Sequence, residues 1–310
     1  TARRYDLVVV IGDVIPVMAA WLSGRPVVTY LVAYSSHYEG RLRLPWPCAD
    51  CLRSRRFRAV FSRDQLSADD LSEQLKRGVT FLGNPFMDPV LQDRRRLPRA
   101  RCRIGLLPGS RTPELEQNLV LQLGVVDHIP ERLFSHEELQ LDLALVSTLA
   151  DNDLAHLVGH IGWRVETSTP DGAAILRKGN CRVQVQRGNF PAVLHSSDLL
   201  LSMAGTAAEQ AVGLARPVLQ LVGRGPQFTA GFAEAQRRLL GPTVFCADGD
   251  AGEPDTLKAT AQLAVELLKR SRSDRALHRS CQREALNRLG ASGGGGRMAA
   301  SISALLQPST

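Results

Sequence analysis

The chain has 310 residues, 44% of them hydrophobic, and a formal net charge of +7. Its length and apolar share support one large or two ordinary domains and argue against a disordered chain. No apolar run approaches the roughly 20 residues that span a bilayer, and no leader pattern opens the sequence. A cytoplasmic chain is expected, with peripheral membrane contact left open.

The basic residues are nearly all arginine; Lys76, Lys178, Lys258 and Lys269 are the exceptions. Either the coding composition favours Arg, or the protein has an affinity for anions. Arg is scattered from Arg3 to Arg297 and aromatics make up only 5%, which argues against nucleic acid as a partner. Cys48 and Cys51 form one C-x-x-C, but a structural zinc site needs a second pair. Free thiols and no metal are expected.

In chain order, short apolar runs alternate with helical patterns. "DLVVVIG" (6–12) reads as a buried strand and 14–22 as a helix. Strands follow at 26–32, 58–62 and 79–83, with a polar helix at about 63–77. Residues 84–101 hold three prolines and a block of Arg without a clean period. They read as a connection, with the linker proper at 89–101. A second series begins with a strand at 102–108 and a helix from Pro113. Strands at 141–147, near 182–186, and at 198–203, 217–222 and 243–246 alternate with further helices. Helices at about 254–271 and 274–289 close it, "GASGGGG" (290–296) reads as a flexible joint, and 297–306 as a last helix. Such alternation predicts βαβ units and parallel sheets. The expected domains are 1–88, 102–290, and a closing segment at 291–310.

Three turns could carry chemistry. In "LLPGSRTPELE" (106–116) a strand ends in a Gly109-Ser110 turn, and Thr112-Pro113 reads as N-cap and first helical residue. Glu114 and Glu116 suit the positive first turn. The amides of 109–111 and the Arg111 guanidinium form a candidate anion site. Equally, this is a capped crossover helix with a solvated Arg. In "DLLLSMAGTAAEQAV" (198–212), Gly205 precedes Thr206-x-x-Glu209, which matches a capping box. Glu209 could instead accept from a ribose diol. In "GRGPQFTAGF" (223–232), Gln227 and Phe228 open a helix. Asp13 ends the first strand, where it is either a cleft base or the N-cap of helix 14–22. His37 and His195 read as ordinary polar residues.

The order of these motifs is more specific than any one of them. "IGDVIP", "FLGNPFMDPV", "LLPGSRTPELE", "SDLLLSMAGTAAEQAVGLARPVL" and "GPQFTAGFAEAQRRL" together resemble the lipid-A-disaccharide synthase family, in particular its cyanobacterial-type related proteins. The S-x-x-G-T-x-x-x-E-like element around Gly205 is also similar to the donor site of the peptidoglycan N-acetylglucosaminyltransferase. The resemblance implies a GT-B glycosyltransferase of α/β class, with two Rossmann-like doubly wound domains facing a cleft. It implies βα units ahead of the first strand, so an N-terminally truncated chain with an incomplete first domain is expected.

The implied reaction is inverting and metal-independent, and it moves a hexosamine-type sugar from a UDP-sugar to a lipid-linked acceptor. The UDP-sugar is a co-substrate, and no further cofactor is implied. By position, Gly109, Ser110, Arg111 and Glu114 would meet the diphosphate or nucleotide. Gly205, Thr206 and Glu209 would hold phosphate and ribose, and Gln227 and Phe228 the sugar. Asp13 would be the base or an acceptor ligand, and Arg111 would stabilise the leaving group. The last helix would cross back to the first domain. A homodimer is left open. Alternatives are a UDP-sugar 2-epimerase, which needs further carboxylates and a His, and a non-catalytic or truncated nucleotide-sugar-binding protein.

Overall fold

Runs of branched apolar residues separated by amphipathic stretches fold here as alternating strands and helices. The computed structural model describes residues 4–135, 138–167, 174–225 and 228–306. It divides into two units: residues 1–89 with 285–310, and residues 90–284.

In the first unit, β1 (Val8–Ile11), β2 (Val27–Tyr30) and β3 (Phe57–Phe61) form a parallel sheet in that order. Between them lie α1 (Val14–Leu22), α2 (Ser36–Glu39) and α3 (Cys48–Arg53). Helix α4 (Gln65–Leu75) follows, capped by Asp64, whose Oδ1 accepts from the Ser67 N–H at 2.8 Å. The strand expected at 79–83 shrinks to one bridge, Phe61 to Thr80. Gly83 then turns away with φ +92°, a conformation side chains disfavour. A 3-10 turn (Pro85–Met87) leads into α5 (Asp88–Gln92).

In the second unit the chain runs β4 (Cys102–Leu107), α6 (Glu114–Asp127), α7 (Arg132–Ser135), β5 (Leu139–Leu145) and α8 (Asp151–Gly159). It continues through β6 (Arg164–Thr167), β7 (Ala174–Lys178), β8 (Cys181–Arg187), α9 (Phe190–Ser196), β9 (Leu199–Ser202) and α10 (Gly205–Gly213). It closes with β10 (Val218–Gln220), α11 (Ala230–Leu240), β11 (Val244–Cys246), α12 (Pro254–Ser273) and α13 (Arg275–Glu284). The eight strands lie in the order β11-β10-β9-β4-β5-β8-β7-β6. All neighbours are parallel except β6–β7 and β7–β8.

Those two antiparallel pairings were not expected from the sequence. Gly179-Asn180 between β7 and β8 is the hairpin signal that discloses one of them. The central strands are buried on both faces, as parallel sheets require: all four residues of β9 are buried, and Leu106, Leu141, Leu143 and Leu201 lie in one core.

A buried ion pair crosses this sheet. Arg103 on β4 donates from Nε to Asp142 on β5 at 2.8 Å, with both side chains enclosed. Burial pushes the Asp142 carboxyl up, and Gln186 and Arg103 oppose that shift. The segment expected as a linker lies along α9. Leu97 N–H donates to Ser196 Oγ at 2.8 Å, and His195 Nε2 meets the Val90 carbonyl at 2.6 Å.

After a π-turn (Ala285–Leu289) the chain ends in α14 (Gly294–Ala304), which belongs to the first unit. Its Met298 and Ile302 pack with Val28, Tyr30 and Phe61 on one face of the small sheet. The expectation of a glycine joint at 290–296 is corrected here: Gly294, Gly295 and Gly296 are helical. Glycine disfavours helix, but here the glycines permit close approach. A Cβ on Gly294 would lie 2.4 Å from the Gly83 carbonyl oxygen. Asp88 supplies the missing cap, accepting from the Gly293 and Gly295 N–H groups at 2.8 Å each.

Candidate functional site

The site begins where the winding of the large sheet reverses. From β4 the chain moves to β5 on one side, and β9 later returns on the other. Crevices at such switch points, beyond the carboxyl ends of the strands, are where open α/β sheets bind ligands. A pocket of about 510 Å³ lies there, within the range of small-molecule sites. Its wall takes Leu107–Arg111, Glu114 and Asn118 from one side, Met203–Ala207 and Gln210 from the other, and Ala144–Val146 from the end of β5. Phe190, Phe228 and Phe232 add aromatic surface.

Two helices start at this pocket, and neither has a side-chain cap. Pro113 occupies the N-cap position of α6 and Ala204 that of α10. Both corrections concern capping. Thr112 does not cap α6, because the first turn already winds from Arg111, whose carbonyl accepts from the Leu115 N–H at 2.8 Å. Thr206-x-x-Glu209 is not a capping box, because α10 begins at Gly205 and Thr206 already lies inside it. The amides at a helix start without a cap remain available to an anion, and the helix dipole favours negative charge there.

Buried amide side chains hold the two turns in place. Asn118, inside α6, donates from Nδ2 to the Pro108 carbonyl at 2.9 Å and to the Met203 carbonyl at 3.3 Å. One helical turn later, Gln122 donates to the Leu201 carbonyl at 3.1 Å. Met203 N–H donates to the Leu107 carbonyl at 2.9 Å. Gln236 donates to the Gly205 carbonyl at 2.9 Å and accepts from Gln220. The sequence reading missed Asn118; the signal was a pair of amides four residues apart on the buried face of an apolar helix.

Gly109, with φ +108°, Ser110 and Arg111 line the pocket, with Ser110 and Arg111 exposed. Glu114 is buried, and its Oε1 accepts from the Phe228 N–H at 2.5 Å. The carboxylate thus anchors the start of the Phe228 segment. Phe228 is buried and stacks at a tilt on Phe232, with centroids 5.3 Å apart. Gln227 lies outside the described residues. Gly205 and Thr206 line the pocket; Glu209 is not among the lining residues, whereas Gln210 is. Thr206 and Gln210 are four apart and share a helix face. The acid position of the G-T-x-x-x-E pattern also falls on residue 210, so the spacing itself held the signal.

Asp13 belongs to the first unit. It occupies the N-cap position of α1 but makes no cap hydrogen bond there. Its Oδ1 accepts instead from the Val32 N–H at 3.0 Å and the Ala33 N–H at 3.1 Å, and its Oδ2 from the Ala33 N–H at 3.2 Å. Cys48 and Cys51 are buried free thiols. Burial first, then Cys51 and Asp13, push Cys48 up to about 11, so it stays protonated at neutral pH. Among the described residues there is no group of three or more His, Cys, Asp or Glu placed to hold a metal ion. None of their helices is long and apolar enough to cross a membrane.

Fold and site together define an α/β protein of the GT-B type, built on Rossmann-like parallel sheets. Solved structures share it. A protein named as UDP-N-acetylglucosamine 2-epimerase from Listeria monocytogenes matches with a TM-score of 0.58 and 16% identity, over 100% of this chain and 77% of that one. The calicheamicin glycosyltransferase matches with a TM-score of 0.56 and 20% identity, over 97% and 75%. UDP-GlcNAc 2-epimerase from Neisseria meningitidis, bound to UDP-GlcNAc, matches with a TM-score of 0.53 and 16% identity, over 98% and 77%. At these identities the likeness establishes the fold. No protein-family model and no curated protein matches the sequence.

Proposed function

We propose that the chain is a UDP-sugar-dependent glycosyltransferase of the lipid-A-disaccharide synthase type, moving a hexosamine-type sugar to a lipid-linked acceptor. One observation carries the donor half of this reading: two helix starts without side-chain caps, at α6 and α10, open onto one pocket. That arrangement suits a diphosphate. Gly109, Ser110 and Arg111 take one phosphate, and Gly205 and Thr206 the other. Gln210, rather than Glu209, reaches the ribose, and the Phe228–Phe232 pair flanks the donor. Stabilising the leaving diphosphate by amides and Arg111 supplies the electrostatic part of catalysis without a metal ion. The lipid acceptor follows from the motif resemblance. Asp13 is the base candidate, held by the two β2-end amides. The domains proposed for this reading are 1–88 on the acceptor side, 102–290 on the donor side, and 291–310 returning to the first.

A UDP-sugar 2-epimerase is the second reading, favoured by two of the structural neighbours, which carry the name UDP-N-acetylglucosamine 2-epimerase. Among the described residues Glu114 is the one carboxylate on the pocket wall, and it accepts from the Phe228 N–H. Incubation with UDP-N-acetylglucosamine, followed by NMR, separates the two. Inversion at C2 without any acceptor supports the epimerase. UDP release that requires a lipid-linked sugar acceptor supports the transferase. Neither product, with UDP binding intact, leaves a nucleotide-sugar-binding protein.

A further inference from the structure

The segment "GRLRLPWP", residues 40–47, takes no part in the proposed chemistry, yet it is rigidly built. Leu42 is 1% exposed and sits in the core of the first unit. Its N–H donates to Asp70 Oδ2 at 2.7 Å, and its carbonyl accepts from Gln74 Nε2 at 3.0 Å. Leu44 packs against the same core. With alternate residues turned inward, Arg41 and Arg43 are turned out and exposed. Neither arginine has an acidic partner among the described residues. Beyond them Trp46, between Pro45 and Pro47, is 86% exposed.

A bare indole on a fixed support, beside two unpaired guanidiniums, is chemistry for an interface. Trp prefers the headgroup level of a bilayer, where its ring is buried and its N–H stays wet. Arginine matches phosphate oxygens in a bidentate fork. Flanking prolines and the Leu42 anchor reduce the ordering cost of docking. Single-stranded nucleic acid fits less well, because it calls for successive stacking platforms, and this segment offers one aromatic ring.

We propose that residues 40–47 form an anchor for an anionic lipid bilayer surface, with Arg41 and Arg43 on headgroup phosphates and Trp46 at the interface. The inference rests on the lipid-acceptor reading for its purpose, since it brings the chain to the surface that presents such an acceptor. Its test uses vesicles without acceptor, so it fails separately from UDP binding.

The full chain is mixed with vesicles of phosphatidylcholine, with or without phosphatidylglycerol, and followed by sedimentation and tryptophan emission. Of the three tryptophans, Trp163 is buried and Trp21 lies under the Arg56 guanidinium, so Trp46 dominates any change. The expected result is binding to the anionic vesicles, with a blue shift and quenching by brominated lipid. Trp46→Ala abolishes both optical changes. Arg41→Gln with Arg43→Gln weakens partition about 30-fold, at roughly 1 kcal/mol per charge. Both variants should keep the wild-type melting temperature. Absence of wild-type binding, equal binding by the folded variants, or Trp46 quenching by single-stranded RNA but not by anionic vesicles would overturn the proposal.

Discussion

Helix starts in the two units treat their backbone amides differently. In the first unit, carboxylates satisfy several of them. Asp64 caps α4, Asp88 caps α14, and Asp13 holds the amides that follow β2. In the second, the helix starts at the large pocket have Pro113 and Ala204 where a capping side chain would stand. A capped amide stabilises the fold by about 1 kcal/mol. An amide without a cap forgoes that and keeps a donor for a ligand. Helices α1, α8 and α12 also lack side-chain caps, so what marks α6 and α10 is that both starts open onto one pocket.

The largest expected effect concerns the buried ion pair in the second unit's sheet. Asp142→Ala leaves Arg103 charged and unpaired in the sheet, which should cost about 3–5 kcal/mol in urea unfolding. Asp142→Leu combined with Arg103→Met should be near neutral, since replacing a buried pair by apolar groups removes both desolvation costs. A similar loss in both variants would show that the pair itself holds the sheet. Next comes the site. Arg111→Ala should weaken UDP binding by roughly 1–3 kcal/mol, the worth of a charged hydrogen bond, with little change in melting temperature. Unchanged affinity by calorimetry removes Arg111 from the diphosphate.

Asp88→Ala is the matching test in the first unit. It should lower stability by about 1 kcal/mol, as loss of a cap does, and leave UDP affinity alone. A fall in affinity as large as that of Arg111→Ala would break the comparison. A finer contrast lies within one helix turn. Gln210→Ala should reduce UDP affinity by about 1 kcal/mol, a typical neutral hydrogen bond, whereas Glu209→Gln should not. The reverse result returns the ribose role to Glu209.

What could be read from the sequence follows from which interactions are local. The β–α alternation and the two pocket turns were visible, because apolar runs and small turn residues act over a few positions. The helical glycines of α14 were not, because their cap is Asp88, 205 residues from Gly293. The N-caps of α6 and α10 were misplaced by one or two residues. Thr206 has cap chemistry, but the register is set by tertiary contacts of Gly205 with Gln236 and of Met203 with Leu107. That small shift also decides whether 209 or 210 faces the pocket, since neighbouring helix positions point about 100° apart.

The smallest expected effect is electrostatic and belongs to the strap along α9. His195 is buried against the Val90 carbonyl, and burial, first among its causes, pushes its pKa below the ordinary 6.5. Between the lowered folded value and 6.5 the unfolded chain binds a proton that the folded chain does not. Stability therefore rises with pH through that window and is complete above it. As pH falls below 6.5 the contribution is lost, because charging the buried ring costs desolvation that its hydrogen bond to the Val90 carbonyl only partly offsets. His195→Gln keeps a donor for the Val90 carbonyl but cannot titrate. Its unfolding free energy should be flatter with pH than that of the wild type over this range, while UDP affinity at neutral pH stays the same. An equal acid slope in both proteins assigns the loss to other groups.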